Sequence, residues 1–507
     1  MQIIYFEAIL IEMLSKSKFI LGQQCAKSFW LDLNDEPPTN EADDAAKDRL
    51  RAGDEVGEIA KEIFPGGKAV PYLKGEHKEM FDITKNLIKE GATTIYEASF
   101  IYDDIFVRVD LMNKTEKGWD IYEVKSSTKI KKYHEYDASI QWHVLKDLKL
   151  FILNDVFIVT LNNKYEREEN IIPLKYFSID PITDVANEKK IEVKDKILEL
   201  KNIANFDKEP SVDIGPHCKK PHSCVYLDKC WPKNMNDIDS IFRLYRLPLK
   251  KKLNFYNKGI DKFENIKDVS SLTKTQQNQF KAYQTQSPVI DKKKLDDFVS
   301  RVEYPITYFD FETFTDAVPV FEKQRPHMQM PFQYSMHIQS SKDEVLDLND
   351  PHPEFIANHL EDPRQQIAES LIKNFPKSGT IMAYNESFEK GCIETLAKFC
   401  PNLENELLDL NNRFLDLIIP FRGGAYYDSN FYGSFSIKKV LPALCPNDKN
   451  LDYKSLQISN GGQASSSYKK LRGQTDEEIA HTREELFKYC RLDTFAMYEI
   501  YTKLLSL

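Results

Sequence analysis

Five residues in the C-terminal part of the chain have the types and spacing to hold hard divalent cations. Asp310-Phe311-Glu312 closes an apolar run, Ile306-Thr307-Tyr308-Phe309, that reads as a strand. Side chains alternate along a strand, so both carboxylates face one side. Two adjacent acids repel unless a cation neutralises them, and Mg2+ prefers carboxylate oxygens. A solvated strand end is the competing reading for this tripeptide alone. Further along, Ile381 to Asn385 reads as a second short strand, and Glu386-Ser387-Phe388-Glu389 opens a helix with Glu389 in its first turn. Glu484 to Lys503 has helical character, and Tyr489 and Asp493, four apart, share one face of it. Four acids and a phenol suit phosphodiester hydrolysis. Two metals about 3.5–4 Å apart activate a water and stabilise the leaving oxygen, and a metal-bound water ionises far more readily than bulk water, so no strong protein base is needed.

The segments DFE, YNESFE and YCRLD occur in the order and spacing of DnaQ-like exonucleases of the DEDDy class, which Val302 to Leu507 resembles. That resemblance implies an RNase H-like fold and a 3'-5' exonuclease. It implies Asp310, Glu312, Glu389 and Asp493 as ligands of two Mg2+ or Mn2+ ions, with Tyr489 orienting the attacking water. The chain departs from the class at Glu389, where the pattern has Asp; the extra methylene moves the carboxylate by about a bond length and bears on metal spacing or choice. Asp416, in Phe414-Leu415-Asp416-Leu417, is a lesser candidate for an auxiliary acid.

A second acidic pattern lies upstream. Ile105 to Leu111 alternates as a strand presenting Asp110, and after a turn through Glu116-Lys117-Gly118 the strand Trp119 to Val124 presents Glu123, with Lys125 on the same face. A lone Glu-x-Lys is most often a surface pair on a hairpin, but Asp110 and the downstream Gln141 stand at suitable distances for a nuclease centre. The arrangement resembles PD-(D/E)XK nucleases and, through Gln141 on the following helix, their RecB-like members. This implies that Asp110 and Glu123 hold a divalent metal while Lys125 stabilises charge or orients water. Glu97 adds an upstream acid. Many RecB-like nucleases carry a histidine after a glycine on an N-terminal helix, whereas the comparable stretch here is Gly53-Asp54-Glu55-Val56-Gly57-Glu58. Either Glu55 or Glu58 substitutes, or the site works with fewer ligands, or it is degenerate.

Cys25 stands alone near the start, while Cys218, Cys224 and Cys230 follow one another with five intervening residues each in a Pro- and His-containing loop. Four thiolates suit an iron–sulfur cluster or structural zinc, and the close cysteine pairs typical of zinc sites are absent. One cysteine before the nuclease core and three after it resembles RecB-like nucleases with an iron–sulfur staple, including CRISPR-adaptation exonucleases and AddB-type helicase–nucleases. Over Ser15 to Trp231 the resemblance implies a [4Fe-4S] cluster on these four residues; zinc, with His217 or His222 replacing a thiolate, is the other reading. Cys392, Cys400, Cys445 and Cys490 lie in apolar or unclustered contexts and read as small core residues.

These residues must be carried by an α/β chain of 507 residues, long enough for two or three domains. The expected organisation is a PD-(D/E)XK restriction-endonuclease-like domain over 1–233, a polar helical connector over 234–300 with Lys250–Lys252, Lys292–Lys294 and Gln276, Gln277 and Gln279, and an RNase H-like, DnaQ-like domain over 301–507. Nearly the whole chain resembles an uncharacterised family fusing these two nuclease types. At 41% hydrophobic and 29% charged residues the chain is neither disordered nor fibrous. Its net charge of −10 excludes a uniformly basic, histone-like DNA binder but permits local basic grooves. Lys125, Lys129, Lys131 and Lys132, beside Tyr133 and His134, form one such candidate for phosphate contact. Gly461-Gly462 with Ser465–Ser467 reads as a flexible loop. The apolar opening Ile3 to Leu14 is broken by Glu7 and Glu12, so neither a signal peptide nor a membrane span is expected and the compartment is read as cytoplasmic. The expected activity is metal-dependent exonucleolytic hydrolysis of DNA with a single-stranded end. RNA as the substrate, a helicase as partner, and a nucleic-acid-binding adaptor with one or both sites inactive are the other readings.

Overall fold

A computed structural model describes residues 13–35, 44–446, 448 and 451–507; Glu7 and Glu12 of the opening apolar stretch lie outside them. The chain forms two compact units, Met1–Trp231 with Asp316–Met328, and Pro232–Thr315 with Gln329–Leu507. Both are mixed α/β.

The first unit is built on seven strands: β1 (Leu14–Ser15), β2 (Lys68–Ala69), β3 (Thr94–Tyr102), β4 (Ile105–Thr115), β5 (Gly118–Val124), β6 (Leu153–Leu161) and β7 (Phe177–Pro181). Their order is β2-β3-β4-β5-β6-β7, with β1 pairing parallel to β4. Strands β3, β4 and β5 form an antiparallel meander. The next pair, β5 and β6, is parallel, because the helix Lys132–Leu148 crosses over between them. Alternate residues of these strands feed two apolar layers. Ile121, Val156 and Ile158 pack with Ile140, Trp142 and Val144 of that helix, whereas Tyr122, Val159 and Leu161 pack with Val56 and Ala60 of the helix Asp44–Lys61. Glu123 has the same parity as Ile121 and faces the crossover helix. The segment Asp316–Met328 is tied into this unit by Arg167 Nη1 donating to Pro319 O at 2.6 Å, Tyr176 Oη to Ala317 O at 2.9 Å, and a 2.7 Å contact between His327 Nε2 and Ser126 O.

The second unit carries β8 (Val289–Ile290), β9 (Ile306–Phe314), β10 (Met330–Gln339), β11 (Glu354–Ile356), β12 (Thr380–Ala383), β13 (Phe414–Asp416) and β14 (Tyr426–Tyr427). Its main sheet has the order β11-β10-β9-β12-β13. Strands β9, β10 and β11 are antiparallel neighbours, while β12 and β13 run parallel to β9. Along β9, Phe309 and Phe311 enter the core formed with Tyr334, Ile381 and Ile393. The intervening Asp310 and Glu312 therefore face the other side, where the helix Asp476–Leu505 lies. Gln333 Nε2 donates to Leu486 O at 2.8 Å, and Ser335 Oγ and Thr494 Oγ1 are 2.9 Å apart, which fixes that helix against β10. A register shift in β10 between Pro331 and Gln333 falls opposite Glu312, the kind of bulge that re-aims a strand side chain.

Two expectations change. Residues 234–300 pack as part of the second unit rather than as a separate connector. Gln276 and Gln279 of the helix Lys274–Thr285 are buried hydrogen-bonding groups: Gln276 donates to Tyr245 O at 2.8 Å, and Gln279 both donates to Arg243 O at 2.8 Å and accepts from Tyr245 N at 2.9 Å. The stretch read as a loop at Gly461–Ser467 is the start of the helix Gly461–Lys470. Asn460 caps it by accepting from Gln463 N at 3.0 Å, and Tyr468 holds it down by stacking on Phe332 with ring centroids 4.0 Å apart. Among the described residues no helix is long and apolar enough to cross a membrane.

Phe309 is fully buried between Phe311 and Phe375, with ring centroids 4.7 and 5.0 Å away. Phe309→Ala should cost about 3–5 kcal/mol, read as a lowered urea midpoint for unfolding of the second unit.

Candidate functional site

In the second unit, three elements aim acids into one cavity of about 330 Å3: β9 with Asp310 and Glu312, the helix Ser387–Phe399 with Glu389, and the helix Asp476–Leu505 with Tyr489 and Asp493. Asp310, Glu312 and Asp493 offer carboxylate oxygens all within 4.8 Å of one another, the only such group of three or more His, Cys, Asp or Glu among the described residues. Glu389 shares the cavity but stands outside that triad, and its Oε2 is buried without a hydrogen-bond partner. Asp493 Oδ1 accepts from Tyr453 Oη at 2.6 Å. Among the described residues the single cation lining the cavity is Lys438, on the helix Ile437–Leu444. Its Nζ donates to Ser459 O at 2.5 Å and to Tyr489 Oη at 3.3 Å, and lies 5.1 Å from the Tyr489 ring centre.

Four carboxylates against one ammonium leave the cavity short of positive charge, and their proton affinities show it. Burial, then Asp493 and Glu312, push Asp310 well above the usual carboxylate range; burial and Asp493 do the same to Glu312. Burial raises Glu389 to about 8. It raises Asp493 only to about 6, because the Tyr453 hydrogen bond and Lys438 favour the anion. Burial beside Asp493 and Glu312 likewise keeps the Tyr489 phenol protonated. Divalent cations are one source of the charge such a site lacks, since hard ions prefer carboxylate oxygens. Asp416 is not among the cavity's lining residues. It accepts from Asn385 N at 2.9 Å and Ile418 N at 3.0 Å and so shapes the turn before Glu389.

In the first unit, Asp110, Glu123, Lys125 and Gln141 are brought together as expected from the spacing, with two unforeseen partners, Lys16 and Asp137. Asp110 Oδ2 accepts from Val124 N at 2.7 Å. Gln141 Nε2 donates to Glu123 Oε2 at 2.5 Å, and Lys125 Nζ to Glu123 Oε1 at 2.5 Å and to Asp137. Lys16, on the helix Lys16–Gln24, donates to both Glu123 oxygens, at 2.9 and 3.0 Å, and stands 3.6 Å from Asp137 Oδ1. Burial opposes ionisation of Glu123, yet Lys125 and Lys16 hold it well below the usual range. Asp110, buried beside Glu123, is raised to about 7. Every acceptor position of Glu123 is thus used by the protein, so the residues as arranged do not fit the divalent ion expected on Asp110 and Glu123. Glu97 has φ of 57° and pairs with Arg108 at 3.2 Å. The proposed stand-ins Glu55 and Glu58 are exposed and pair within their own helix, with Arg51 at 3.8 Å and Lys61 at 2.6 Å. Their helical positions on the solvent side keep them from replacing the absent histidine. Lys129, Lys131 and Lys132 are exposed.

Cys25, Cys218, Cys224 and Cys230 line one cavity together with Ser28 and His217. Gln24 holds the cysteine loop to the N-terminal helix by donating to His217 O and His222 O, both at 2.8 Å. Burial raises the thiols of Cys25 and Cys230 above their usual range, with the neighbouring cysteines adding to it. His222 turns away to pack its ring 5.0 Å from Tyr133. Cys392, Cys400, Cys445 and Cys490 are buried.

Sequence reasoning missed Lys438, Tyr453, Lys16 and Asp137. Asp137 carried a signal, standing one helical turn before Gln141; the others come from segments whose local pattern says nothing of a distant site.

Residues 307–436 match a family described as a domain of unknown function, DUF2779. The match includes Asp310, Glu312 and Glu389 and ends before Lys438, Tyr489 and Asp493. Over 210 residues the chain is 28% identical to "Uncharacterized protein MG366 homolog" of Mycoplasma pneumoniae, covering 38% of this chain and 31% of that protein. Over 261 residues it is 24% identical to "Uncharacterized protein UU173" of Ureaplasma parvum, covering 47% of this chain and 35% of that one. The matches thus span about a third of the length of these curated relatives.

The raised carboxylates predict a pH-dependent stability. The folded second unit binds protons that the unfolded chain, with carboxylates near pH ~4, does not, so its stability falls as pH rises from about 4 towards the value of about 8 for Glu389. The thermal midpoint of metal-free protein should fall across this window. Mn2+ should raise it by an increment that grows with pH, and Asp310→Asn should flatten both trends in a calorimetric series.

Proposed function

We propose that the chain is a metal-dependent nuclease whose cutting centre is the carboxylate cavity of the second unit, and that this unit is a DnaQ-like, RNase H-like domain. The observation that supports this most is the charge imbalance: four carboxylates from three elements, Glu312, Glu389 and Asp493 buried and Asp310 half-buried, meet one ammonium in the cavity. Asp310, Glu312, Glu389 and Asp493 would hold two Mg2+ or Mn2+ ions, which supply an activated water and stabilisation of the leaving oxygen. Tyr453 orients Asp493 through its 2.6 Å hydrogen bond. Tyr489, kept protonated and anchored by Lys438, presents a hydroxyl donor beside the acids, as expected of the residue that positions the water. Lys438 adds a positive charge where phosphate oxygens would enter. The substrate proposed is a single-stranded DNA end, because a cleft walled by helices on two sides admits one flexible strand more readily than a duplex.

The first unit is proposed to be a RecB-like, PD-(D/E)XK-type domain stapled by a [4Fe-4S] cluster on Cys25, Cys218, Cys224 and Cys230. Four thiols around one cavity are the donor set such a cluster needs. Zinc is the second reading, with His217 in place of a thiolate, since His217 Nε2 lies 3.6 Å from Cys218 Sγ.

End-labelled single-stranded DNA incubated with wild-type protein and Mn2+ should give a ladder of shortened products, reduced at least roughly a hundredfold in Asp310→Ala with unchanged circular dichroism. Absence of cleavage of both DNA and matched RNA by anaerobically purified protein would refute the reading, and cleavage of RNA alone would reassign the substrate. The same preparation should contain iron and acid-labile sulfide and lose its visible absorbance in Cys224→Ala; stoichiometric zinc without iron would overturn the cluster.

A further inference from the structure

We infer that Lys16 is a built-in counter-ion that occupies the Glu123 carboxylate and keeps the first unit's centre free of divalent metal. The inference rests on the PD-(D/E)XK reading of Asp110, Glu123 and Lys125 given above and specifies what has become of that centre. A carboxylate offers about four acceptor positions. At Glu123 they are taken by Lys16 on both oxygens, Lys125 on Oε1 and Gln141 on Oε2. Asp137, the third acid, is itself engaged by Lys125 and faces Lys16 at 3.6 Å.

The charge balance separates the two centres. Asp110, Glu123 and Asp137 meet two ammonium groups, whereas the four acids of the second unit meet one. A divalent ion entering the first centre would have to break two charge-assisted bonds from Lys16 and leave that ammonium, whose side chain is only 23% exposed, beside the incoming metal. At the second centre the ammonium of Lys438 donates to Ser459 O and Tyr489 Oη rather than to a carboxylate. Lys16 reaches Glu123 because Ser15, accepting from Lys18 N at 3.3 Å, caps the helix just as the chain leaves β1, which pairs with β4, the strand carrying Asp110. Lys16 is therefore a positioning residue for this centre, set by the fold rather than by side-chain drift.

The test counts bound Mn2+ on the full-length chain by the loss of the free-ion electron paramagnetic resonance signal, a readout independent of nuclease activity. Asp310→Asn with Asp493→Asn should abolish the ions bound by wild type. Adding Lys16→Met to that double variant should restore one Mn2+ per chain, and further Glu123→Gln should remove it again. Lys16→Gln, which keeps a hydrogen bond to Glu123 without the charge, should behave as Lys16→Met and serves in its place if that variant does not accumulate. The inference fails if the double variant with Lys16 intact binds Mn2+ that Glu123→Gln abolishes, or if folded Lys16 variants gain no ion. Failure of the nuclease reading of the second unit looks different: Mn2+ binding would be unchanged between wild type and Asp310→Asn with Asp493→Asn.

Discussion

Burying carboxylates beside one another is the constraint on which the second unit depends. Glu312, Glu389 and Asp493 are buried and Asp310 is half-buried within electrostatic reach of all three, with Lys438 the one cation lining their cavity among the described residues. An arrangement of that kind persists only if the surrounding framework over-determines it. Here the framework is the five-stranded sheet, the aromatic core beneath β9, and the long C-terminal helix locked to β10 by Gln333 and Ser335. The repulsion between the crowded acids is relieved when protons enter, and would be relieved likewise by the divalent cations proposed above.

The first unit solves the same problem in the opposite way. It too gathers acids from strands and a helix, yet it supplies two ammonium groups from its own chain and satisfies Glu123 completely. Polar satisfaction of this quality stabilises a buried cluster but leaves no vacancy for a further cation. Two centres with similar residue types therefore differ in charge balance. The cysteine cavity adds a third kind of constraint, with the helix Lys16–Gln24 and the loop of His217 and His222 brought to one place through Gln24.

Much of the local structure was legible because it depends on neighbours in the chain. The alternation through Ile306 to Glu312 announces a strand with both acids on one face, and the four-residue spacing of Tyr489 and Asp493 announces a shared helical face. Asp110, Glu123 and Gln141 were legible for the same reason, each standing on an element with a clear period. Local signals misled where a few distant contacts overrule composition. Gly461-Gly462 and three serines look like a loop, but one cap at Asn460 and the stacking of Tyr468 on Phe332 make them helical. Glu55 and Glu58 resemble spare ligands, but their helix presents them to solvent.

By itself, then, the sequence determined which side chains could bind metal or sulfur clusters and which strands and helices would carry them, since periodicity and capping act over a few residues. Only the tertiary structure decided how those groups are balanced. Lys16 lies 107 residues from Glu123 in the chain, and Tyr453 lies 40 from Asp493, yet these contacts set the charge and orientation of the two centres. Electrostatic energy depends on distance in space rather than along the chain, and in a buried site a single ammonium separates a carboxylate that calls for a cation from one already satisfied.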